Sequence, residues 1–458
     1  MRTVAIVGAG FSGIVTAIRY LNEAGPDDRL LIIDRALGPP GGLAYGLCDE
    51  HHLLNAPAGG MSAFDEAPNS FVDYGRTRGW NIHASTYASR HCYGEYLRYQ
   101  LEAAVASSQG RYTFIAGEVV AVNPHSSGAQ IIIEGQPPLF ADHVVLALGN
   151  FPPASISSLA QIRRSERYVT DPWNGRSALR PSGNATVLLM GSGLTAADLA
   201  LSILSNAPST RVIMLSRRGR VPREHIVGAR MTVSFQQMVD EMLKVHPSAR
   251  AYVRTLRHHL AARPDYWREA FAALRPITRE LWERMPLVER RRFLRHVQPL
   301  WDTHRHRVPP DMQLKLQGAF LSGKLSYLAG RITEVTERES LFEVKVSLRG
   351  QERACVLECD LIVNCTGPSM RLSEIDSRLV QHLLARGLIT PDELGLGLHV
   401  QSDGAVIESD GTASKWLSYI GPMLKAMHWE ATAVPELRRH AHRLVSRLVR
   451  RAIGTQTG

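Results

Sequence analysis

The chain has 458 residues, 44% of them apolar and 21% charged, and its 53 basic and 43 acidic side chains leave a formal net charge of +10. At about 100–200 residues per domain this length builds two or three cores, and the composition excludes a disordered or fibrous chain. No run reaches the ~18 uninterrupted apolar residues of a membrane span. The cysteines Cys48, Cys92, Cys355, Cys359 and Cys365 are too few and too scattered for a secreted disulfide framework or a zinc site. Cys355 and Cys359 stand in a strand-like CVLEC run, not at a helix start where a redox thiolate is stabilised. The basic surplus suits polyanionic cofactors. Zinc-finger, RNP-like and basic-zipper patterns do not occur, so nucleic acid is not an expected partner.

The chain opens on a strand, VAIVGAG (Val4–Gly10), followed by a helical pattern to about Asn22 and a second strand, LLIID (Leu30–Asp34). The apolar start faintly imitates a secretory leader. It runs straight into a glycine turn of the mature fold, however, and the expected location is the cytoplasm. Gly8, Gly10 and Gly13, with Phe11 and Ser12 between them, complete G-x-G-x-x-G. The first glycine makes the tight turn, the second lets the backbone approach a pyrophosphate, and the third allows close helix–strand packing. The helix start adds N–H donors and positive dipole. Asp34 stands at the end of the next strand, about twenty residues on, where a carboxylate accepts ribose hydroxyls, and Arg35 follows it.

Tyr112–Val122 and Gln130–Glu134 read as an antiparallel ribbon, and His143–Leu148 as a return to the first sheet; VVLALGN ends in the turn at Gly149 and Asn150. A second strand–turn–helix–strand unit then begins with VLLMGSG (Val187–Gly193), a helix from Leu194 to about Ser205, and RVIMLS (Arg211–Ser216). Gly191, Gly193, Leu194, Thr195 and Ala196 give the G-x-G-x-x-A form of the same turn. Its second strand ends Ser216-Arg217-Arg218, with no acid at the ribose position, and guanidiniums there suit a 2′-phosphate, hence NADPH. Asp198 lies within the helix and is not a ribose ligand.

Residues 236–306 are helical in pattern, KLSYLAG (Lys324–Gly330) is the strand expected to close the second domain, and Arg331–Leu357 reads as a hairpin. LIVNCTG (Leu361–Gly367) is a strand ending in a glycine, expected to rejoin the first sheet or pass between domains. From about Glu430 the chain is an amphipathic helix, apolar at Leu437, Leu444 and Leu448 and basic at Arg438, Arg439, Arg443, Arg447, Arg450 and Arg451. The fold expected is α/β with two Rossmann-like dinucleotide-binding domains. The first, FAD-binding domain takes residues 1–180 and 336–458, with an interdomain crossing near Gly183. The NADPH-binding domain takes 181–335, with a helical insertion at about 236–306.

These strings resemble the YdhS-like FAD/NAD(P)-binding family, within the larger group of two-dinucleotide flavoproteins related to flavin-containing monooxygenases. The likeness runs through GAGFSG, GLAYG, HLLNAPAGGMSAFD (His52–Asp65), YGEYL (Tyr93–Leu97), GSGLTAAD, SRRGRVPREH (Ser216–His225), WDTHRHR (Trp301–Arg307) and IGPMLKAMHWEATAVPELRRHA (Ile420–Ala441). It implies FAD along the first domain, with Leu54 and Asn55 near the isoalloxazine, and Val119 and Gly367 among the cofactor contacts. The turn at Gly421 would bring backbone N–H groups to the flavin pyrimidine end. RYVTDPWNG (Arg167–Gly175) lacks the F-x-G-x-x-x-H fingerprint that flavin-containing and Baeyer–Villiger monooxygenases carry before the second nucleotide turn, which argues against Baeyer–Villiger chemistry and leaves the FAD and NADPH expectation untouched.

The expected activity is an NADPH-dependent FAD oxidoreductase, a monooxygenase that oxygenates a small amine-like nucleophile through a flavin C4a-hydroperoxide, with O2 and a small molecule as partners. The alternatives are an NADPH-dependent flavin reductase or electron-transfer protein and a slow-turnover FAD-binding redox sensor. No metal is expected, and no side-chain triad, because the cofactor carries the chemistry. Arg305 and Arg307 are candidates to clamp a substrate carboxylate or the NADPH phosphates; the alternative is a tie between the helical insertion and the sheet.

Overall fold

A computed structural model describes residues 1–35, 40–46, 49, 51–174, 181, 183–226 and 233–454, the last four without side chains. Cys48, Gly175, the Arg451 side chain and the tail from 455 lie outside the described residues. The chain divides into two compact units, Met1–Phe151 with Ser369–Gly458, and Pro152–Pro368.

In the first unit β1 (Thr3–Val7), β2 (Arg29–Asp34) and β3 (Tyr112–Ala116) pair in parallel. A separate antiparallel ribbon follows, made of β4 (Val119–His125), β5 (Gly128–Ile133) and β6 (Leu139–Ala141). The chain then returns as β7 (His143–Leu146), parallel to the other side of β1. The expected single strand Tyr112–Val122 is therefore two, β3 widening the sheet and β4 opening the ribbon. Val4, Ala5, Ile6, Val144 and Val145 are fully buried, as central parallel strands covered on both faces require. The helix Phe11–Glu23 covers one face, and its apolar residues Ile14, Val15, Ala17 and Ile18 enter the same core as Tyr93, Tyr96 and Leu97.

The second unit starts with a short strand, β8 (Tyr168–Val169), and repeats the arrangement with β9 (Thr186–Met190), β10 (Arg211–Ser216) and β11 (Leu325–Glu337) in parallel. Short helices fill 236–305, as expected, and the helix Pro310–Leu321 leads back to β11. β11 does not close the unit. It continues into an antiparallel meander with β12 (Phe342–Leu348) and β13 (Ala354–Cys359), after which β14 (Leu361–Asn364) inserts in parallel between β9 and β8. The boundaries expected at 180 and 335 thus move to 151 and 368, and LIVNCTG belongs to the second sheet, not the first. The cause is burial: Leu361, Ile362 and Val363 are apolar, and beside β9 they are covered on both faces, while the buried Asn364 at the strand end donates its side-chain amide to Ala154 O (3.2 Å).

The first unit resumes with β15 (Ala405–Ile407) and β16 (Ala413–Tyr419), the latter parallel to β7. The closing helix, Val434–Gly454, buries Leu437, Ala441, Leu444, Val445 and Leu448 against the first core, a stripe at helical spacing.

Candidate dinucleotide sites

Ligands of open α/β sheets bind beyond the carboxyl ends of the strands, and the glycine turns expected in the first unit stand there. Gly8 N–H donates to Ile33 O (2.8 Å), Ala147 N–H to Val7 O (2.8 Å) and Ile420 N–H to Leu146 O (2.9 Å), so the ends of β2, β1, β7 and β16 lie side by side. Gly8–Gly13, Asp34 and Arg35, Gly149 and Gly421 follow those ends. Gly8 has φ +110°, and a Cβ there would lie 2.3 Å from Ala147 O; a Cβ on Gly13 would lie 1.9 Å from Gly8 O. These two glycines serve the turn and the helix packing. At Gly10 a Cβ would meet only Gly42 Cα, at 4.0 Å, so this position faces space. The helix begins there with no side-chain cap, leaving its first N–H groups to a ligand. Phe11 and Ser12 are buried behind the turn.

Asp34, at the end of β2, braces the turn: its carboxylate accepts the Ala9 N–H. Gly41 N–H donates to Ala9 O (2.9 Å), and Gly42, at φ +60°, would place a Cβ 2.9 Å from Gly10 Cα. GLAYG therefore packs onto the first turn. Leu54 and Asn55 lie on a strap held by Leu54 N–H to Ala88 O (2.8 Å) and Ala58 N–H to Thr86 O (2.9 Å); Leu54 is buried and Asn55 exposed. Val119 is buried just past Gly117, whose N–H donates to Asp34 O (2.9 Å). At the Gly421 turn Pro422 has no N–H and the Met423 N–H donates to the Tyr419 hydroxyl (3.1 Å), so the N–H of Gly421 is the donor nearest the end of β16. Burial pushes the Tyr419 phenol well up.

The second unit repeats this edge. Gly191 N–H donates to Leu215 O (2.8 Å) and Cys365 N–H to Met190 O (2.9 Å), which brings Gly191–Gly193, Ser216 and Gly367 to one edge. A Cβ on Gly191 would lie 2.4 Å from Cys365 O, whereas nothing lies within 4 Å of one on Gly193. Gly193 starts the helix Leu194–Asn206 without a side-chain cap, and Leu194 and Thr195 form its first turn. The Ser192 hydroxyl donates its one proton to the Arg220 carbonyl and lies 2.8 Å from Ser216 Oγ, whose hydroxyl it can accept. Arg217 is exposed. Arg218 is partly committed elsewhere, donating to Arg295 O at 2.9 Å. Burial pushes the Cys359 thiol up to about 12 and Cys365 higher still, so neither supplies a thiolate.

The WDTHRHR segment is packed among aromatic rings. The Arg307 guanidinium lies 4.9 Å from the Trp267 ring centre and its Nε donates to His304 O (2.8 Å), while Arg268 lies 4.3 Å from the same ring. His304 stacks on Phe271 with ring centres 5.1 Å apart. Desolvation is the main cause of a lowered His304 pKa; the Leu300 carbonyl opposes it, and Arg223, Arg307 and Arg220 add to it. Arg305 closes the helix Gln298–Arg305 and is partly buried. Arg307 thus packs on residues of the insertion itself, Trp267 and His304.

Sequence reasoning missed the Ser192 bridge, the Asp34–Ala9 brace and the contact of Gly42 with Gly10. The Gly41-Gly42 pair was the one legible signal among them. Among the described residues no helix is long and apolar enough to cross a membrane.

A family model described as FAD-NAD(P)-binding matches residues 5–151. No curated protein matches the chain. Among solved structures, the ornithine hydroxylase of Pseudomonas aeruginosa is similar at TM-score 0.66 and 16% identity, covering 98% of this chain and 99% of its own. The ornithine N-hydroxylase of Kutzneria sp. 744, with reduced FAD, NADP+ and L-ornithine, matches at 0.66 and 15%, covering 99% and 100%. The FAD-bound cadaverine monooxygenase of Erwinia amylovora matches at 0.64 and 15%, covering 96% and 93%. The chain thus has the mixed α/β fold of these amine hydroxylases over nearly its whole length, with two Rossmann-like dinucleotide-binding domains.

Proposed function

We propose that the chain is an NADPH-dependent FAD monooxygenase that hydroxylates the nitrogen of a small primary amine, and that it belongs to the YdhS-like family in the cytoplasm. The observation that carries this reading is the pair of uncapped glycine turns, open at Gly10 and at Gly193, in a chain that follows amine N-hydroxylases from end to end. FAD belongs to the first unit, held by Gly8–Gly13, Asp34, Val119, Gly149 and Gly421, and NADPH to the second, held by Gly191–Thr195, Ser216, Arg217 and Gly367. FAD, when bound, supplies the redox chemistry, accepting hydride from NADPH and activating O2. The chain's own work is to fix two pyrophosphates on helix N-termini, orient the ribose through Asp34, and offer guanidinium to the 2′-phosphate. The balance is amine, O2, NADPH and a proton giving hydroxylamine, water and NADP+.

The test is to mix FAD-loaded protein with NADPH without oxygen, follow flavin bleaching, then admit O2 with ornithine, lysine or cadaverine and assay hydroxylamine and peroxide. Bleaching followed by hydroxylamine at one NADPH per product is expected. Peroxide alone with every amine would favour a flavin reductase, and absence of bleaching would overturn both.

A further inference from the structure

The second unit contains a cavity of about 260 Å³ beside its glycine turn, lined by Ser192, Pro222, Gln313, Gln317, Phe320 and Tyr327 among others. This is below the roughly 300–1,000 Å³ of a drug-sized ligand site and suits a single ring system. No charged side chain lines it, so a neutral group is the natural occupant. Gln313 and Gln317 stand one turn apart on the helix Pro310–Leu321, on the same face. Among the described residues neither side-chain amide has a partner. Phe320 and Tyr327 are stacked with ring centres 5.6 Å apart and 30° between planes, and Phe320 is 50% exposed, an aromatic that the core does not need.

Paired amide donors and acceptors beside an aromatic face are the chemistry that recognises adenine: a glutamine matches N6 and N7 in two hydrogen bonds, and a ring supplies stacking. Ser192 belongs both to the cavity wall and to the Gly191–Gly193 turn, and its bridge to Arg220 O places Val221 and Pro222, also in the wall, next to the ribose edge. We propose that this cavity receives the adenine ring of the dinucleotide held at Gly191–Gly193, an inference that rests on the NADPH reading above. Gln313 and Gln317 then read the base edge, and Phe320 closes over it.

The test compares full-length, FAD-loaded wild type with Gln313→Leu/Gln317→Leu, which keeps good helix formers, and with Phe320→Ala. Bound FAD and the thermal midpoint report whether each variant folds. Affinities for NADPH, 2′,5′-ADP and 5′-AMP are measured by calorimetry. At least about tenfold weaker 2′,5′-ADP binding in both folded variants, with 5′-AMP displacing NADPH in wild type, is the expected result. Unchanged 2′,5′-ADP affinity would overturn the inference and leave the NADPH reading standing. Binding of 5′-AMP that does not displace NADPH, yet is lost in the variants, would overturn the dinucleotide assignment in favour of a free purine effector. If wild type binds no NADPH, the functional reading falls, and glutamine-dependent 5′-AMP binding alone would still place a purine in the cavity.

Discussion

The Arg218 guanidinium donates to the carbonyl oxygen of Arg295 at 2.9 Å, and four residues beyond that carbonyl stands Pro299, which has no N–H to offer it. Arg295 itself lies in a π-helical turn, Phe293–Val297. The residue that sequence paired with Arg217 as a phosphate ligand thus also ties the helical insertion to the end of β10. Arg218→Ala is expected to lower stability by about 1–2 kcal/mol, the value of a charge-assisted hydrogen bond at a partly exposed site, read from urea midpoints.

Arg217, exposed at the same strand end, is expected to carry the choice of cofactor. Arg217→Ala should raise the KM for NADPH about tenfold or more, ~1.4 kcal/mol, while leaving that for NADH nearly unchanged. Steady-state kinetics with both nucleotides decides it; a parallel rise in both would show that the side chain does not read the 2′-phosphate.

Gly10 and Gly13 differ in what an added methyl would meet, and the two alanine variants should fail differently. Gly13→Ala places a Cβ 1.9 Å from Gly8 O and should disrupt the unit itself, giving insoluble or strongly destabilised protein. Gly10→Ala fills space next to the turn and should fold while losing most of its FAD. Flavin content against thermal midpoint separates them, and a fully flavinated Gly10→Ala would remove the FAD assignment from this turn.

Tyr93 is fully buried among Phe11, Tyr45, Phe71 and Tyr96, with its hydroxyl unpartnered among the described residues. Burial, with minor help from Tyr45 and Tyr96, pushes its phenol well up. Removing a buried, unsatisfied hydroxyl is neutral to stabilising, by up to ~1 kcal/mol. Tyr93→Phe should therefore match or exceed wild type in thermal midpoint. A fall in FAD affinity in this variant would instead identify the phenol as a cofactor contact.

His304 gives the stability a pH dependence of known sign. Its folded pKa is depressed below the ordinary 6.5, first by desolvation. Above 6.5 both states hold it neutral and it contributes nothing. As pH falls below 6.5 the unfolded chain binds the proton first, so stability declines until the folded pKa is passed. Urea midpoints measured from about pH 7.5 down to about pH 5.5 should fall less steeply in His304→Phe, which keeps the stacking on Phe271 and removes the titration. An identical slope would show that His304 does not contribute.

Both glycine turns were legible because their chemistry is contiguous: an apolar run, a fixed glycine spacing and a helical pattern within about thirty residues, then a strand ending in acid or base. The helical insertion and the closing helix were legible for the same reason, their apolar residues recurring at helical spacing. LIVNCTG was legible as a buried strand but not as a member of either sheet. Nothing in three apolar residues and an asparagine names their neighbour, and the same pattern fits both sheets.

By itself the sequence determined the repeated strand–turn–helix grammar, the acid at Asp34 against the bases at Arg217 and Arg218, and the apolar stripe of the last helix. Each follows from backbone geometry and side-chain chemistry within a few turns of chain. Only the tertiary structure decided that β14 pairs with β9, that Arg218 serves the Arg295 carbonyl, that Arg307 lies on Trp267, and that two glutamines face a cavity beside Ser192. Those outcomes depend on which buried surfaces and unpaired carbonyls, far apart along the chain, find one another on folding, and local pattern carries no record of that choice.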